Sequence, residues 1–245
     1  MNRSVYLTPP TFTVLITGLI ATYLSLTFRI QLDLNLTLFG LAIAFPMATS
    51  IQTAFKRRER AIEYLSLYKA AMAVIYYSFQ SSGKLDAQAK AKGKQLLAQA
   101  TDDLLTSLKT NAEDGFGQAD AKFESVMQFM EDNRAFISAR LRTRVIRYVK
   151  DAEDSAAYLL SLTKHRTMAG LRLFALVFTH AFAILNAPAL IHNLQHVLPE
   201  WGLYASSALS SLILISLYNF QSAIEYPFDQ KGADDIKLDY YRFNP

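Results

Sequence analysis

Cysteine is missing from all 245 residues of this chain. Disulfide bridges, thiol catalysis and cysteine metal sites are therefore excluded. A Walker-type glycine loop, a GxSxG elbow and an HExxH pair are also missing from the sequence. Nothing that remains favours catalytic chemistry, and we expect a protein that is not an enzyme.

Charge is missing from four long stretches, which come as two pairs at the two ends of the chain: Ser4–Phe28, Leu34–Phe55, Leu173–Pro199 and Trp201–Ile224. Each stretch exceeds the roughly 20 apolar residues that a helix needs to cross about 30 Å of hydrocarbon. The first is too long for the apolar part of a secretory signal, and a second follows closely. The sequence therefore predicts four transmembrane helices.

The charge that is present lies mostly between the two pairs. Residues 56–166 hold 19 of the 25 Lys and Arg residues and 14 of the 21 Asp and Glu residues. Such mixed signs argue against a nucleic-acid partner, which usually needs a concentrated basic face. The excess of Lys and Arg next to the apolar runs predicts a cytoplasmic insert and cytoplasmic termini, in a bacterial inner membrane or a eukaryotic plasma or organelle membrane.

Apolar residues in the insert recur every three or four positions, which predicts helices rather than strands. The first helix continues from the second membrane run and ends at Ser81-Ser82-Gly83, and the second covers about residues 85–108. A third, single helix is expected from Gln118 to Thr163, and the third membrane span is expected to break at Asn186-Ala187-Pro188. The prediction is an all-α membrane protein divided at residues 1–55, 56–166, 167–225 and 226–245 into a hairpin, an insert, a second hairpin and a tail.

The second apolar run is rich in small and hydroxyl-bearing residues, and it contains Pro46, for which a kink is expected. Small residues permit close packing between membrane helices. An alternative is a pore-lining helix, because Leu41, Phe45 and Thr49 fall on one stripe at four-residue spacing, and rings of apolar side chains can gate an ion path by dewetting. Both interpretations stay open at this point.

Two charged clusters follow the membrane runs. Lys56, Arg57, Arg58 and Arg60 lie directly after the second run, where they serve as a topology signal and also form an electropositive inner entrance. The tail carries Asp234 and Asp235 among other carboxylates, and closely spaced carboxylates suit calcium. The alternative for the tail is a solvated acidic segment.

Two stretches of the sequence resemble the bestrophin family of ion channels. Residues 39–70, FGLAIAFPMATSIQTAFKRRERAIEYLSLYKA, resemble the family's second span and the cytosolic helix that continues from it. Ile224-Glu225-Tyr226-Pro227-Phe228 resembles the Ile-Glu-Asp-Pro-Phe signature after the fourth span, and His165-Arg166-Thr167 resembles the start of the third. The order of two spans, a long insert, two spans and a tail also agrees.

The resemblance implies a homopentamer whose second spans line a central pore, with Leu41, Phe45 and Thr49 forming a narrow neck. A register shifted by one residue would place Ala44 and Ala48 there instead. The resemblance also implies a calcium clasp in the tail at Asp234 and Asp235. Here the family's acidic run is interrupted by 230–233, with a positive charge at Lys231, which argues against calcium gating.

The sequence as a whole predicts an oligomeric channel in a lipid membrane that passes small anions such as chloride or bicarbonate. The alternative is a non-conducting membrane scaffold that binds a partner through its cytosolic helices.

Overall fold

Helices account for nearly all the regular structure of this chain. The computed structural model describes residues 8–34, 36–112, 114–164, 169–224, 227–228, 230 and 235–244. Within these ranges the backbone forms seven α-helices and no strand, which confirms the all-α prediction. They are α1 (Pro9–Thr27), α2 (Leu36–Ser81), α3 (Ala87–Thr110), α4 (Gly115–Asp132), α5 (Ala139–Lys164), α6 (Ala169–Leu194) and α7 (Glu200–Ile224), and a 3₁₀ turn follows at Leu238–Tyr241.

The chain divides into two compact units. The membrane unit comprises Met1–Phe55 and Thr167–Glu225, and the polar unit comprises Lys56–Arg166 and Tyr226–Pro245. Helix α2 contributes its first part to the membrane unit and the rest to the polar unit.

Among the described residues, three helices of the membrane unit are long and apolar enough to cross a bilayer. They are Pro9–Thr27, Leu173–Leu194 within α6, and Glu200–Ile224. The second predicted span occupies the first part of α2, which is not among the three, so a total of four spans stays a prediction. Helix α6 continues through Pro188 and does not break there as the sequence had indicated. Pro188 has no N–H to donate to the carbonyl of Ile184, four residues earlier, and its own carbonyl accepts from Leu32 N–H at 3.4 Å.

Helix α1 packs against α6 and α7 through small and polar residues. A Cβ atom on Gly18 would lie 2.8 Å from Ser211 Oγ, so glycine permits the close approach of α1 and α7. The buried Asn219 amide donates to Thr11 Oγ1 at 2.8 Å, and Thr8 Oγ1 donates to Asn219 Oδ1 at the same distance. These bonds fix α7 against the start of α1, because no water competes for amides in hydrocarbon.

The polar unit has one hydrophobic core to which α2, α3, α4, α5 and the tail all contribute. Its largest fully buried side chains include Tyr68, Phe79, Leu97, Met130 and Leu159. The tail belongs to this core, because Phe228, Ile236 and Leu238 are buried in it. Two polar contacts hold its far end, where Lys69 Nζ donates to the Tyr240 carbonyl at 2.6 Å and Arg242 pairs with Asp102 at 3.0 Å.

The single helix expected from Gln118 to Thr163 is wrong, because the chain turns between α4 and α5. Asn133 ends α4 by donating its side-chain amide to the Phe129 carbonyl at 2.8 Å. Ser138 begins α5, with its carbonyl accepting from Arg142 N–H at 2.9 Å. Asn and Ser compete with helical hydrogen bonds in this way, so they mark helix ends even where an apolar periodicity continues across them.

Candidate functional site: the two-faced start of helix α2

One side of the first part of α2 is packed inside the membrane unit. Ile43 and Met47 are 1% and 2% exposed, and they lie in a cluster with Ala175 of α6 and Leu214 of α7. One turn further on, the buried Ser50 Oγ accepts a hydrogen bond from the Gln221 amide of α7 at 2.7 Å. These contacts fix the rotation of α2 about its own axis.

The opposite side of this segment is exposed, and the predicted neck residues lie on it. Leu41 and Phe45 are 62% and 69% exposed, and Thr49 is also exposed. Successive four-residue steps rotate by only about 40° around an α-helix, so the three side chains share one side. For the shifted register, Ala48 is exposed and Ala44 is half-buried. The structure therefore places the predicted stripe away from the packed face.

This exposed face changes character along its length. Leu38, Leu41 and Phe45 are large and apolar, and Thr49 and Gln52 then follow on the same side. The apolar stripe was found from its spacing, whereas Leu38 and Gln52 were missed, although steps of three and four residues from Leu41 and Thr49 lead to them. We call Leu38, Leu41, Phe45, Thr49 and Gln52 the α2 face.

The threonine hydroxyls near this face are engaged with the helix backbone. Thr49 Oγ1 donates to the Pro46 carbonyl at 2.9 Å, and Thr53 Oγ1 donates to the Thr49 carbonyl at 2.8 Å. Each hydroxyl proton is therefore used inside the helix. What Thr49 presents at the surface is a methyl group and the lone pairs of its oxygen.

The four cations predicted to form an inner entrance do not share one environment. Arg57 is half-buried in the polar unit and donates from Nη2 to the Leu162 carbonyl at 2.7 Å, in the last turn of α5. A helix C-terminus leaves such carbonyls without partners, so Arg57 caps α5. Arg58 is half-buried, whereas Lys56 is exposed.

Arg60 also lies beside α5. Its Nη1 is 3.5 Å from Tyr158 Oη, and the Tyr158 ring stacks on Tyr64 with centroids 3.8 Å apart. The hydrogen bond with Tyr158 raises the pKa of the exposed Arg60 guanidinium, which stays charged throughout the physiological range. Arg57 and Arg60 thus connect α2 to α5, and Lys56 is the exposed cation nearest the α2 face along the helix.

The proposed calcium ligands cannot be assembled from the described residues. Asp234 lies outside those residues, as do Asp229 and Lys231, and Asp235 is half-buried. In the part of the chain that the structure describes, no group of three or more His, Asp or Glu side chains is placed to hold a metal ion. The polar contact that the structure does describe in this part of the tail is made by Gln230, whose amide donates to the Ile236 carbonyl at 2.7 Å. The other family motif, at residues 165–167, also lies outside the described ranges.

The fold is similar to that of solved bacterial proteins. A crystal structure of a bacterial bestrophin homologue from Klebsiella pneumoniae aligns with a TM-score of 0.79 at 14% identity, covering 95% of this chain and 93% of that one. A variant of that homologue with one substitution aligns with a TM-score of 0.80 at 13% identity, covering 94% and 92%. No protein-family model and no curated protein matches the sequence. The chain therefore has a bestrophin-like fold, as its motifs had indicated.

Proposed function

We propose that this chain is the subunit of a homo-oligomeric membrane ion channel, and that the α2 face lines its pore. Leu41, Phe45 and Thr49 would form the neck. Five copies around one axis are what the resemblance of residues 39–70 to the bestrophin family implies. Small anions such as chloride or bicarbonate are the proposed permeant ions.

The observation that carries this proposal is the composition of the α2 face. It is exposed in the single chain, and it passes from large apolar residues to Thr49 and Gln52. A face turned to hydrocarbon would keep an amide such as that of Gln52 inside the bundle, because an unsatisfied polar group is costly in lipid. A pore that narrows at apolar rings and then widens into water accounts for the gradient.

The proposed preference for anions rests on Lys56. Its side chain is exposed, whereas the guanidinium of Arg57 is engaged with α5. Repeated in each subunit, Lys56 would form a ring of positive charge that raises the local concentration of anions. The neck itself is neutral, so charge selection would occur on the Lys56 side of it.

The test is anion flux through the purified protein in liposomes loaded with a halide-sensitive dye, together with single-channel recording in planar bilayers. Phe45→Ala removes the largest side chain of the neck, so we expect several times more flux and a larger open probability. Ile16→Ala is the matched control, because Ile16 of α1 is 54% exposed but lies outside the α2 face. Its flux should equal that of the unmodified protein.

Three results would contradict the proposal. One is a monomeric particle in detergent by light scattering, which would favour the non-conducting scaffold. Another is no flux from a well-folded oligomer. The last is an equal change of anion flux in the Phe45→Ala and Ile16→Ala proteins, which would mean that the α2 face does not line the ion path.

A further inference from the structure

A cavity of about 400 Å³ lies in the polar unit, between the end of α2 and the start of α5. Its lining includes three cations, Lys84, Arg140 and Arg144, and no acidic residue. Ser81 and Ser138 also line it, and the half-exposed Phe136 is an apolar part of the wall. The cavity has the size of a small-molecule site.

Local structure holds the walls of this cavity together. Ser82, which is buried, donates from Oγ to the Phe136 carbonyl at 2.9 Å, so the chain after α2 is tied to the α4–α5 connection. Helix α5 begins directly after Ser138, so Arg140 and Arg144 are one turn apart on the same side of that helix. The two guanidinium groups thus reach the cavity from a single rigid element.

Within the described ranges, the three cations have no carboxylate partner of the kind that other basic side chains of the polar unit have. Lys122 pairs with Asp103 at 2.9 Å, and Arg134 pairs with Glu131 at 3.0 Å. Among the described residues, no carboxylate lies within ion-pair distance of Lys84, Arg140 or Arg144. Their like charges repel one another, and an anion between them would relieve that repulsion.

We propose that this cavity binds a phosphate group. Arginine forks match the oxygens of a phosphate in pairs, and a lysine adds a point charge. A dianion offers more charge neutralisation than chloride, and its oxygens can accept from the Ser138 hydroxyl as well, whereas the Ser81 hydroxyl donates to the Ser78 carbonyl at 3.0 Å. The group could come from free inorganic phosphate or from a phosphorylated organic molecule, whose body would rest on Phe136.

The test uses the full chain purified in detergent and isothermal titration calorimetry at constant ionic strength. Inorganic phosphate and phenyl phosphate are the two probes. We expect saturable binding of at least one probe, weakened by at least about tenfold in the double variant Arg140→Gln/Arg144→Gln, because two charge-assisted contacts are lost. Circular dichroism checks that the variant keeps its helices.

Arg147→Gln is the matched control, because Arg147 is an exposed arginine on the same helix but does not line the cavity. It should bind both probes as the unmodified protein does. If phenyl phosphate binds more tightly and Phe136→Ala removes only that gain, the site takes an organic phosphate. Equal binding of the two probes, unaffected by Phe136→Ala, assigns it to free phosphate.

The proposal is overturned if neither probe shows saturable binding, or if Arg147→Gln weakens binding as much as the double variant. Calorimetry requires no current, so these outcomes are independent of whether the chain conducts ions.

Discussion

Helices α1 and α2 both expose large apolar side chains within the membrane unit, but the α2 face also exposes an amide, that of Gln52. The exposed residues of α1 include Phe12, Ile16, Ile20 and Tyr23, while its buried ones are Thr11, Val14, Gly18, Ala21, Thr22 and Ser25. Helix α1 thus exposes mostly large apolar side chains, while three of its hydroxyl-bearing residues, Thr11, Thr22 and Ser25, are buried. The α2 face differs toward its C-terminal end, where Thr49 and Gln52 are exposed while Ile43 and Met47 are packed.

This difference shows why exposure in one chain does not identify a pore. A lipid-facing surface and a lumen-facing surface are equally uncovered when a subunit is considered alone. They are distinguished by composition, because lipid selects apolar side chains while water tolerates hydroxyls and amides. The contrast between the two helices therefore predicts different solvents for the two faces, and the following substitutions test it.

The largest expected effect comes from placing a lysine on each face. Ile20→Lys puts a charge into hydrocarbon near the middle of α1 and should cost about 2.5–3.5 kcal/mol of insertion free energy. Gln52→Lys should cost less than about 1 kcal/mol if that position meets water beyond the neck, since a hydrated charge needs no desolvation. The measurement is the yield of folded oligomer extracted from membranes. Equal losses would mean that both faces contact lipid.

A smaller effect is expected from filling the close approach on the packed side of α1. Gly18→Ala forces Ser211 Oγ to move, because the new Cβ would lie 2.8 Å from it, and we expect a loss of about 1 kcal/mol. Adding Ser211→Ala should recover most of that loss. Gly40→Ala in α2 is the control, since its nearest neighbour would be Phe182 Cε2 at 3.9 Å. Thermal unfolding in detergent measures the stability of each variant. A destabilised Gly40→Ala protein would contradict the packing described.

The smallest effects should separate two adjacent cations beyond the α2 face. Arg57→Gln removes the contact with the Leu162 carbonyl and should lower stability by about 1 kcal/mol. Lys56→Gln should change stability by less than about 0.5 kcal/mol, because Lys56 is exposed, but it should lower the ratio of anion to cation permeability. Denaturant unfolding measures the stability of each variant, and reversal potentials measure its ratio of anion to cation permeability. If only Arg57→Gln changed the selectivity, Arg57 rather than Lys56 would be the cation that selects anions.

Much of the fold could be predicted from the sequence because periodicity and missing charge are local signals. The ends of α2 at Ser81 and of α1 at Thr27 agree with the predicted ends to within a residue or two. The turn between α4 and α5 was missed because the apolar pattern of Met130, Ile137 and Leu141 continues across it, with Ile137 buried in the same core. The capping residues Asn133 and Ser138 carry that information, and periodicity does not register them.

The candidate site was predictable in part. The spacing of Leu41, Phe45 and Thr49 predicted that the three side chains lie on one side of the helix, because their angular positions depend only on helix geometry. Which side of α2 would be packed could not be known without Ala175, Leu214 and Gln221, all of which lie more than 100 residues away in the chain. The distinct environments of Lys56 and Arg57 likewise depend on α5. Long-range contacts of this kind leave no periodic trace in the sequence.

The hydroxyl proton of Thr49, which is held by the Pro46 carbonyl, has a consequence for an ion in the proposed neck. A chloride ion that sheds water needs replacement donors, and an oxygen that offers only lone pairs supplies none. The apolar side chains of Leu41 and Phe45 supply no donors either, so no group in the neck replaces the water that the ion loses. Anions that hold their water weakly should then pass more easily than those that hold it strongly, so thiocyanate and iodide should precede chloride in the order of permeation.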